Sequence, residues 1–352
     1  LYRLVGSEMC IRDSSNATSR FILGSQLETG ENVPGGGTGG FINLIDIADT
    51  NIYTRGVGSI GLFAQSVGGG GGSAQSLFNT SSTDGSISIE KQTNSYLGLT
   101  NQSSSSQSQN SGGNVFLTAT SGIQIATGRG SRGLDGITID DLASRFNTTT
   151  QDIIRTLDSF GIRATASQIL YKEAISLIEE TYDYGAGAHA ILLQSIGGGG
   201  GHTSSIVGSN LATSSSSSSF DLGSTSASDA KSSGGTLKYK VDGISRIQTI
   251  GDNANGLLLQ SIGGGGGTSG LVNRGISEGN LSGVFNLGSQ GTSSVHGFGG
   301  NVTADLSANI LTLGDISNAV LLQSIGGGGG QSVSTHSNAS TSATKSESVF
   351  NP

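Results

Sequence analysis

Four histidines, two adjacent carboxylate pairs and four runs of five glycines are the features of this sequence whose types and spacing could do chemistry. His189 and His202 flank one apolar segment, so they could begin a metal site. Zinc takes three or four N, S or O ligands, and no cysteine or carboxylate at ligand spacing suggests a third here. His296 and His336 sit in Gly/Ser-rich or terminal surroundings, and all four read as surface histidines. Asp140-Asp141 and Glu179-Glu180 fall in a segment of helical spacing, where a solvated face accounts for them. Serine is too abundant for one to stand out as a nucleophile, and no Gly-x-Ser-x-Gly elbow comes with a nameable acid and base. The glycine runs end in Gly-Ser, Gly-His, Gly-Thr and Gly-Gln, which excludes the Gly-Lys-Ser/Thr of a phosphate loop. They are followed by no Asp of the kind a calcium-binding glycine repeat uses. No catalytic, cofactor-binding or metal-ligating residue is therefore assigned, and the chain does not read as an enzyme.

The glycine runs belong to a repeat, and a repeat decides the fold before any site does. Phe63-Ala64-Gln65-Ser66-Val67 precedes Gly68 to Gly72, and Leu192-Leu193-Gln194-Ser195-Ile196 precedes Gly197 to Gly201. Leu258-Leu259-Gln260-Ser261-Ile262 and Leu321-Leu322-Gln323-Ser324-Ile325 lead into the third and fourth runs. A glycine stands nine residues before each glutamine (Gly56, Gly185, Gly251, Gly314). Further upstream, Gly39-Gly40, Gly112-Gly113, Gly234-Gly235 and Gly299-Gly300 each open a β-rich run. In the second copy the pattern breaks after Gly128 and resumes at Gly185, which marks residues 129–184 as an insertion. With it removed the glutamine spacings become 73, 66 and 63.

Composition agrees with a β-repeat whose core needs few aromatics. Of 352 residues 60 are Gly, two are Pro, none is Trp, and 12% are charged. The apolar residues cluster in short runs at a fixed phase, unlike those of a disordered chain. A net charge of −8 with no basic patch excludes nucleic acid as a partner. No run of about 18 apolar residues could span a membrane as a helix. Residues 1–14 resemble translated sequencing-adapter read-through, and with them go Cys10 and Met9. The trustworthy chain is then free of cysteine.

One coil of a parallel β-helix takes roughly 20 to 25 residues, so spacings of 63 and 66 read as three coils each. On that count the four glutamines do not touch, and each bonds its local turn rather than joining an amide ladder. Alternation puts Leu257, Leu259 and Ser261 on one face and Leu258, Gln260 and Ile262 on the other, with the inward face undecided. The five glycines read as a structured corner, since their length and position do not vary. Residues 15–38 form a polar lead-in. The Ser/Asn/Gln spacers (73–111, 202–233, 268–298 and the start of another at 331–352) read as further, looser coils, giving repeats over 15–128 and 185–330.

The insertion changes character. Ile139 to Phe146 has helical spacing; Thr148 or Thr149 can cap a second helix carrying Ile153, Ile154, Leu157 and Phe160, ended by Gly161. A third helix is expected from about Ser167, with Ile169, Leu170, Ala174, Ile175, Leu177 and Ile178 as its stripe. Ile139 to Ile162 resembles small helix-turn-helix modules, including the N-terminal module of a bacterial translation initiation factor. DNA reading by Arg155 and Arg163 is opposed by Asp140, Asp141, Asp152 and Asp158 around them. The segment reads as a small helical decoration.

The repeated Leu-Leu-Gln-Ser-Ile-Gly-Gly-Gly-Gly-Gly, with turns such as Gly251-Asp252-Asn253-Ala254-Asn255-Gly256 before it, resembles the passenger region of large bacterial autotransporters over residues 39–330 except the insertion. That resemblance implies an all-β fold, a right-handed parallel β-helix (β-solenoid) with a small α-helical insertion, exported to the cell surface through a C-terminal outer-membrane β-barrel. The chain is expected to be an internal fragment, since neither that barrel nor a signal peptide is evident in it. The function expected is a structural or adhesive scaffold meeting glycans or proteins of host or neighbouring cells through many weak contacts, with no cofactor. A polysaccharide-acting enzyme and a disordered surface spacer are the other readings; few aromatics and scattered acids speak against the enzyme.

Overall fold

In the computed structural model of the protein, the described residues are 9–10, 16–23, 38–45, 50–54, 58–69, 71–80, 90–97, 109–128, 136–146, 149–159, 161–171, 174–175, 178, 185–209, 215–222, 231–275, 281–287, 297–337 and 346–351. They are predominantly β-strand, in parallel sheets, with one small helical insertion. Strands β1 (Met9–Cys10) and β2 (Asn16–Leu23) come first. The first repeat supplies β3 (Ile42–Leu44), β4 (Asn51–Tyr53), β5 (Leu62–Val67), β6 (Gly72–Thr80), β7 (Glu90–Leu97) and β8 (Gln109–Ser111). The second begins with β9 (Val115–Ala119) and β10 (Gln124–Thr127). The insertion adds β11 (Ile137–Thr138), helices α1 (Ile139–Phe146) and α2 (Thr150–Ser159), and β12 (Ile169–Leu170). The second repeat then continues with β13 (Ile191–Ile196), β14 (Gly201–Ser209), β15 (Ser215–Leu222) and β16 (Lys231–Ser233). The third holds β17 (Leu237–Val241), β18 (Ser245–Ile250), β19 (Leu257–Ile262), β20 (Gly267–Gly275), β21 (Leu281–Leu287) and β22 (Gly297–Phe298). The fourth holds β23 (Val302–Asp305), β24 (Ala308–Leu313), β25 (Val320–Ile325), β26 (Gly330–Ser337) and β27 (Ser346–Asn351).

Every repeat strand pairs, parallel and in register, with its counterpart in the next repeat. Ile191 to Ile196 face Leu257 to Ile262, and these face Val320 to Ile325. The six sheets so formed run β3-β9-β17-β23, β4-β10-β18-β24, β5-β13-β19-β25, β6-β14-β20-β26, β7-β15-β21-β27 and β8-β16-β22. β1 adds a strand beside β6, and β2, within the expected polar lead-in, pairs with β7 along its whole length. Gln194 and Gln260, 66 residues apart, are thus adjacent, as are Gln260 and Gln323, 63 apart. This corrects the expectation of three coils per repeat: the insertion aside, the chain visits each sheet once in 63 to 74 residues. The physical reason lies in the Ser/Asn/Gln spacers, which form long strands of their own instead of separate coils. Ser215 to Leu222 pairs over eight residues with Glu90 to Leu97, despite its serine run.

The β5-β13-β19-β25 sheet lies between two cores, so the question of which face points inward has the answer that both do. Ile191, Leu193, Leu257 and Leu259 join Val115, Leu117, Leu237, Tyr239, Ile125 and Ile247 in the larger core. Ile196, Ile262 and Ile325 stack on the opposite face, with Val67 against them. Burying one such side chain contributes about 1.5–3 kcal/mol, and in-register repetition multiplies it down each column. Leu193 and Leu259 are fully buried, whereas Leu322 in the last layer is 42% exposed because no described strand covers it.

The insertion leaves and rejoins at one point: a Cβ on Gly128 would sit 2.8 Å from the Gly185 Cα. It has its own core of Ile139, Leu142, Ala143, Ile153, Leu157, Leu170, Ile175 and Ile178. Thr138 and Thr149 cap the two helices, each accepting from the amide three residues on (Asp141, Asp152) and donating to that residue's carboxylate. Gly161, at φ +77°, ends α2. A helix starting near Ser167 is not what forms: Ile169–Leu170 pairs antiparallel with Ile137–Thr138 and ties the two ends of the module together. Helical bonding starts later, with the Ile175 amide on the Tyr171 carbonyl. Phe160 and Leu177 lie outside the residues whose side chains are described.

Candidate functional site: interior polar columns and an outer groove

The repeated Gln-Ser of each apolar strand builds two polar columns inside the stack. Gln65 Nε2 donates to Gln194 Oε1 at 2.6 Å, Gln194 to Gln260 at 2.5 Å, and Gln260 to Gln323 at 2.6 Å. The glutamines therefore do form a ladder, contrary to the local-turn expectation, because each repeat is one layer. The ladder satisfies amides that would otherwise be buried without partners. The adjacent serine clamps two layers together. Ser195 Oγ donates to the Gly113 carbonyl of its own repeat (2.7 Å) and accepts the Gly235 amide of the next (2.8 Å). Ser66 and Ser261 do the same with Gly40 and Gly113, and with Gly235 and Gly300. This accounts for the upstream Gly-Gly pairs. A Cβ at Gly112 or Gly234 would collide with the serine hydroxyl, and one at Gly113 or Gly235 with backbone of the preceding layer.

The fourth and fifth glycines of each run form the corner. Gly71, Gly200, Gly266 and Gly329 have φ between 91° and 102°, and Gly72, Gly201, Gly267 and Gly330 between 127° and 137°. L-residues rarely adopt either.

His189 and His202 are not on the surface. Both are fully buried, with Nε2 atoms 3.2 Å apart and rings at 74°. The two segments flanking β13 bring them together across its end. His189 stands where the next two repeats have Asn255 and Asn318, and His189 and Asn255 each accept the backbone N–H of the next layer. His189 Nδ1 accepts from Asn255 N at 2.9 Å, as Asn255 Oδ1 accepts from Asn318 N at 2.8 Å. His189 must then carry its proton on Nε2, facing His202 Nε2 as acceptor. His202 consequently keeps its proton on Nδ1 and donates to Thr268 Oγ1 at 2.9 Å. Burial lowers His202 to about 4, and burial followed by the charge of His202 holds His189 well below its ordinary value. The arrangement is a pair of neutral imidazoles with fixed tautomers. Ligating a metal through both Nε2 atoms would move the His189 proton to Nδ1 and end its acceptance of the Asn255 N–H. The described residues include no cluster of three or more His, Cys, Asp or Glu. His296 lies outside the described residues, and His336 is in β26 opposite Asn273. The missed signal was positional: a histidine at the phase of two turn asparagines is an interior ladder member.

On the outside, alternate residues of the β4-β10-β18-β24 sheet form two in-register columns. One runs Asn51, Gln124, Arg246, Asn309 and the other Tyr53, Ala126, Gln248, Leu311. The small Ala126 between Tyr53 and Gln248 leaves a hollow, and the groove there encloses about 410 Å³. Tyr53 is 59% exposed. Arg246, also exposed, makes no ion pair among the described residues. Paired Asp140-Asp141 lies away from this surface, at the start of α1, with Thr150 Oγ1 donating to Asp140.

The family model described as "Translation initiation factor IF-2, N-terminal region" matches residues 135–185, which is the insertion alone. No curated protein matches the chain, and no solved structure matches it.

Proposed function

We propose that this chain is a segment of a right-handed parallel β-helix, the passenger of a large bacterial autotransporter displayed at the cell surface. The reading rests on the one-layer-per-repeat register: six parallel sheets whose strands recur at 66 and 63 residues are what a chain wound in successive turns produces. The repeated Gln-Ser-Ile-glycine motif, similar to that of autotransporter passengers, supports the export route through an outer-membrane β-barrel of the full-length chain. In this reading the protein is a structural and adhesive scaffold. Its partners are glycans or proteins on host or neighbouring cells, held through many weak contacts, and it carries no catalytic residue or cofactor. The insertion, emerging at one point of the stack, is a decoration on the scaffold; α1 and α2 carry Asp140, Asp141, Asp152 and Asp158, a charge that disfavours DNA.

Antibody labelling of intact cells tests the location, with labelling removed by external protease expected; labelling only after permeabilisation would refute surface display. Beads coated with the purified chain test adhesion. Binding to cells at high coating density and not at low density is expected, whereas beads that never bind would refute the adhesive role.

A further inference from the structure

We propose that the outer groove on the β4-β10-β18-β24 sheet binds an acidic oligosaccharide lying along the stack, its carboxylate on Arg246 and one ring against Tyr53. This rests on the adhesive reading and specifies the glycan class. Among the groove residues Arg246 is the one charged side chain, and no described carboxylate neutralises it. A guanidinium left free in a hollow, on a chain of net charge −8, marks a place for an anion rather than a generally basic surface. Gln124, Gln248 and Asn309 surround it with planar amides, each offering a donor pair and an acceptor to vicinal hydroxyls. The Tyr53 ring supplies the apolar face that a pyranose stacks on, and Ala126 provides the floor.

The spacing also fits. Tyr53 and Arg246 are two strands apart across the sheet, about 10 Å at about 4.8 Å per strand, and offset by two residues along it, so they lie about 12 Å apart in all. One strand interval is close to the advance of a single sugar along an extended glycan. A ligand reaching both residues is thus at least a disaccharide, crossing from the Tyr53 column to the neighbouring Arg246 column.

Calorimetric titration of the whole chain with galacturonate trimers, neutral galactose trimers and a sialylated trisaccharide tests this. An acidic ligand is expected to bind about tenfold tighter than the neutral one at low salt. Arg246→Gln should erase that preference, and Tyr53→Ala should weaken all binding about fivefold. Binding of the galacturonate assigns chain-internal uronates, and binding of the sialylated ligand assigns terminal acids; either supports the proposal. If Arg246→Gln misfolds by circular dichroism, Asn309→Asp, which sets a carboxylate beside Arg246 in the same column, must lower acidic binding instead. Equal affinity for acidic and neutral ligands, or a preference that survives these variants, overturns the proposal. No saccharide binding by a chain that still coats adhesive beads overturns the groove alone, and loss of both overturns the adhesive reading too.

Discussion

At the residue scale, Ile316 has φ of +53°, a conformation that its counterparts occupy as Gly58, Gly187 and Asn253. A β-branched side chain there is strained by about 1–2 kcal/mol, and Ile316 is half exposed, so little packing is lost on removing it. Ile316→Asn should therefore stabilise the protein by about 1 kcal/mol in urea denaturation; an unchanged or lower midpoint would count against the turn geometry. The histidine pair gives a pH prediction. Both groups have folded values below the unfolded value of about 6.5, so the unfolded chain binds more protons in acid. Stability is intact above about pH 6.5 and falls as pH drops below it, the His202 share of the loss being complete below about pH 4. The loss from His202 alone is on the order of 3 kcal/mol. His189→Asn with His202→Thr installs the residues of the next layer and should remove this loss while keeping the hydrogen bonds. Comparing urea midpoints of both proteins at pH 7.5 and 5 decides it; parallel acid sensitivity would contradict the pair's role. Sequence alone misplaced these histidines because they lie just beyond the ends of the apolar strand: their immediate neighbours are glycine, alanine and threonine, which can line a narrow interior as readily as a surface.

At the element scale, equivalent glycines should differ in tolerance according to what covers them. A Cβ at Gly235 would meet Gly113 backbone atoms at 2.5 and 2.6 Å, whereas one at Gly40 meets nothing within 4 Å. Gly235→Ala is expected to destabilise by more than about 2 kcal/mol, and Gly40→Ala by less than about 0.5 kcal/mol; thermal melts of both check the contrast, and equal effects would contradict the layer order. A threonine clasp recurs in every repeat, closing the turn before the apolar strand. Thr54 donates to Ser59, Thr249 to Ala254 and Thr312 to Ser317. In the second repeat the same clasp runs from Thr127 to Ala188 across the base of the insertion. The helices were legible because Thr149, Gly161 and the 3.6-residue apolar spacing are local signals. The Ile169–Leu170 strand was not, because its partner lies some thirty residues away in sequence.

At the scale of the whole molecule, one layer per repeat sets a small rise for each repeat: the five stacked strands of the longest described sheets span only roughly 20 Å. The repeat positions and the two faces of the Leu-Leu-Gln-Ser-Ile strand could be read directly, though not that both are buried. The number of layers could not, because serine-rich strands such as Ser215 to Leu222 carry no apolar alternation to announce them. Since the ends of the insertion meet at Gly128 and Gly185, joining these two residues directly should leave the β-signal and melting temperature nearly unchanged while the helical signal disappears. Collapse of the β-signal would mean the module is part of the stack.

The most direct test of one layer per repeat is a crosslink between Lys238 and Thr303, both exposed and paired across β17 and β23. In a Cys10→Ser background, Lys238→Cys with Thr303→Cys should form an intramolecular disulfide quickly under mild oxidation. Their Cα atoms lie about 4.8 Å apart, within disulfide range. With three coils per repeat they would be about 14 Å apart, and failure of this pair to crosslink in the folded protein would contradict the account.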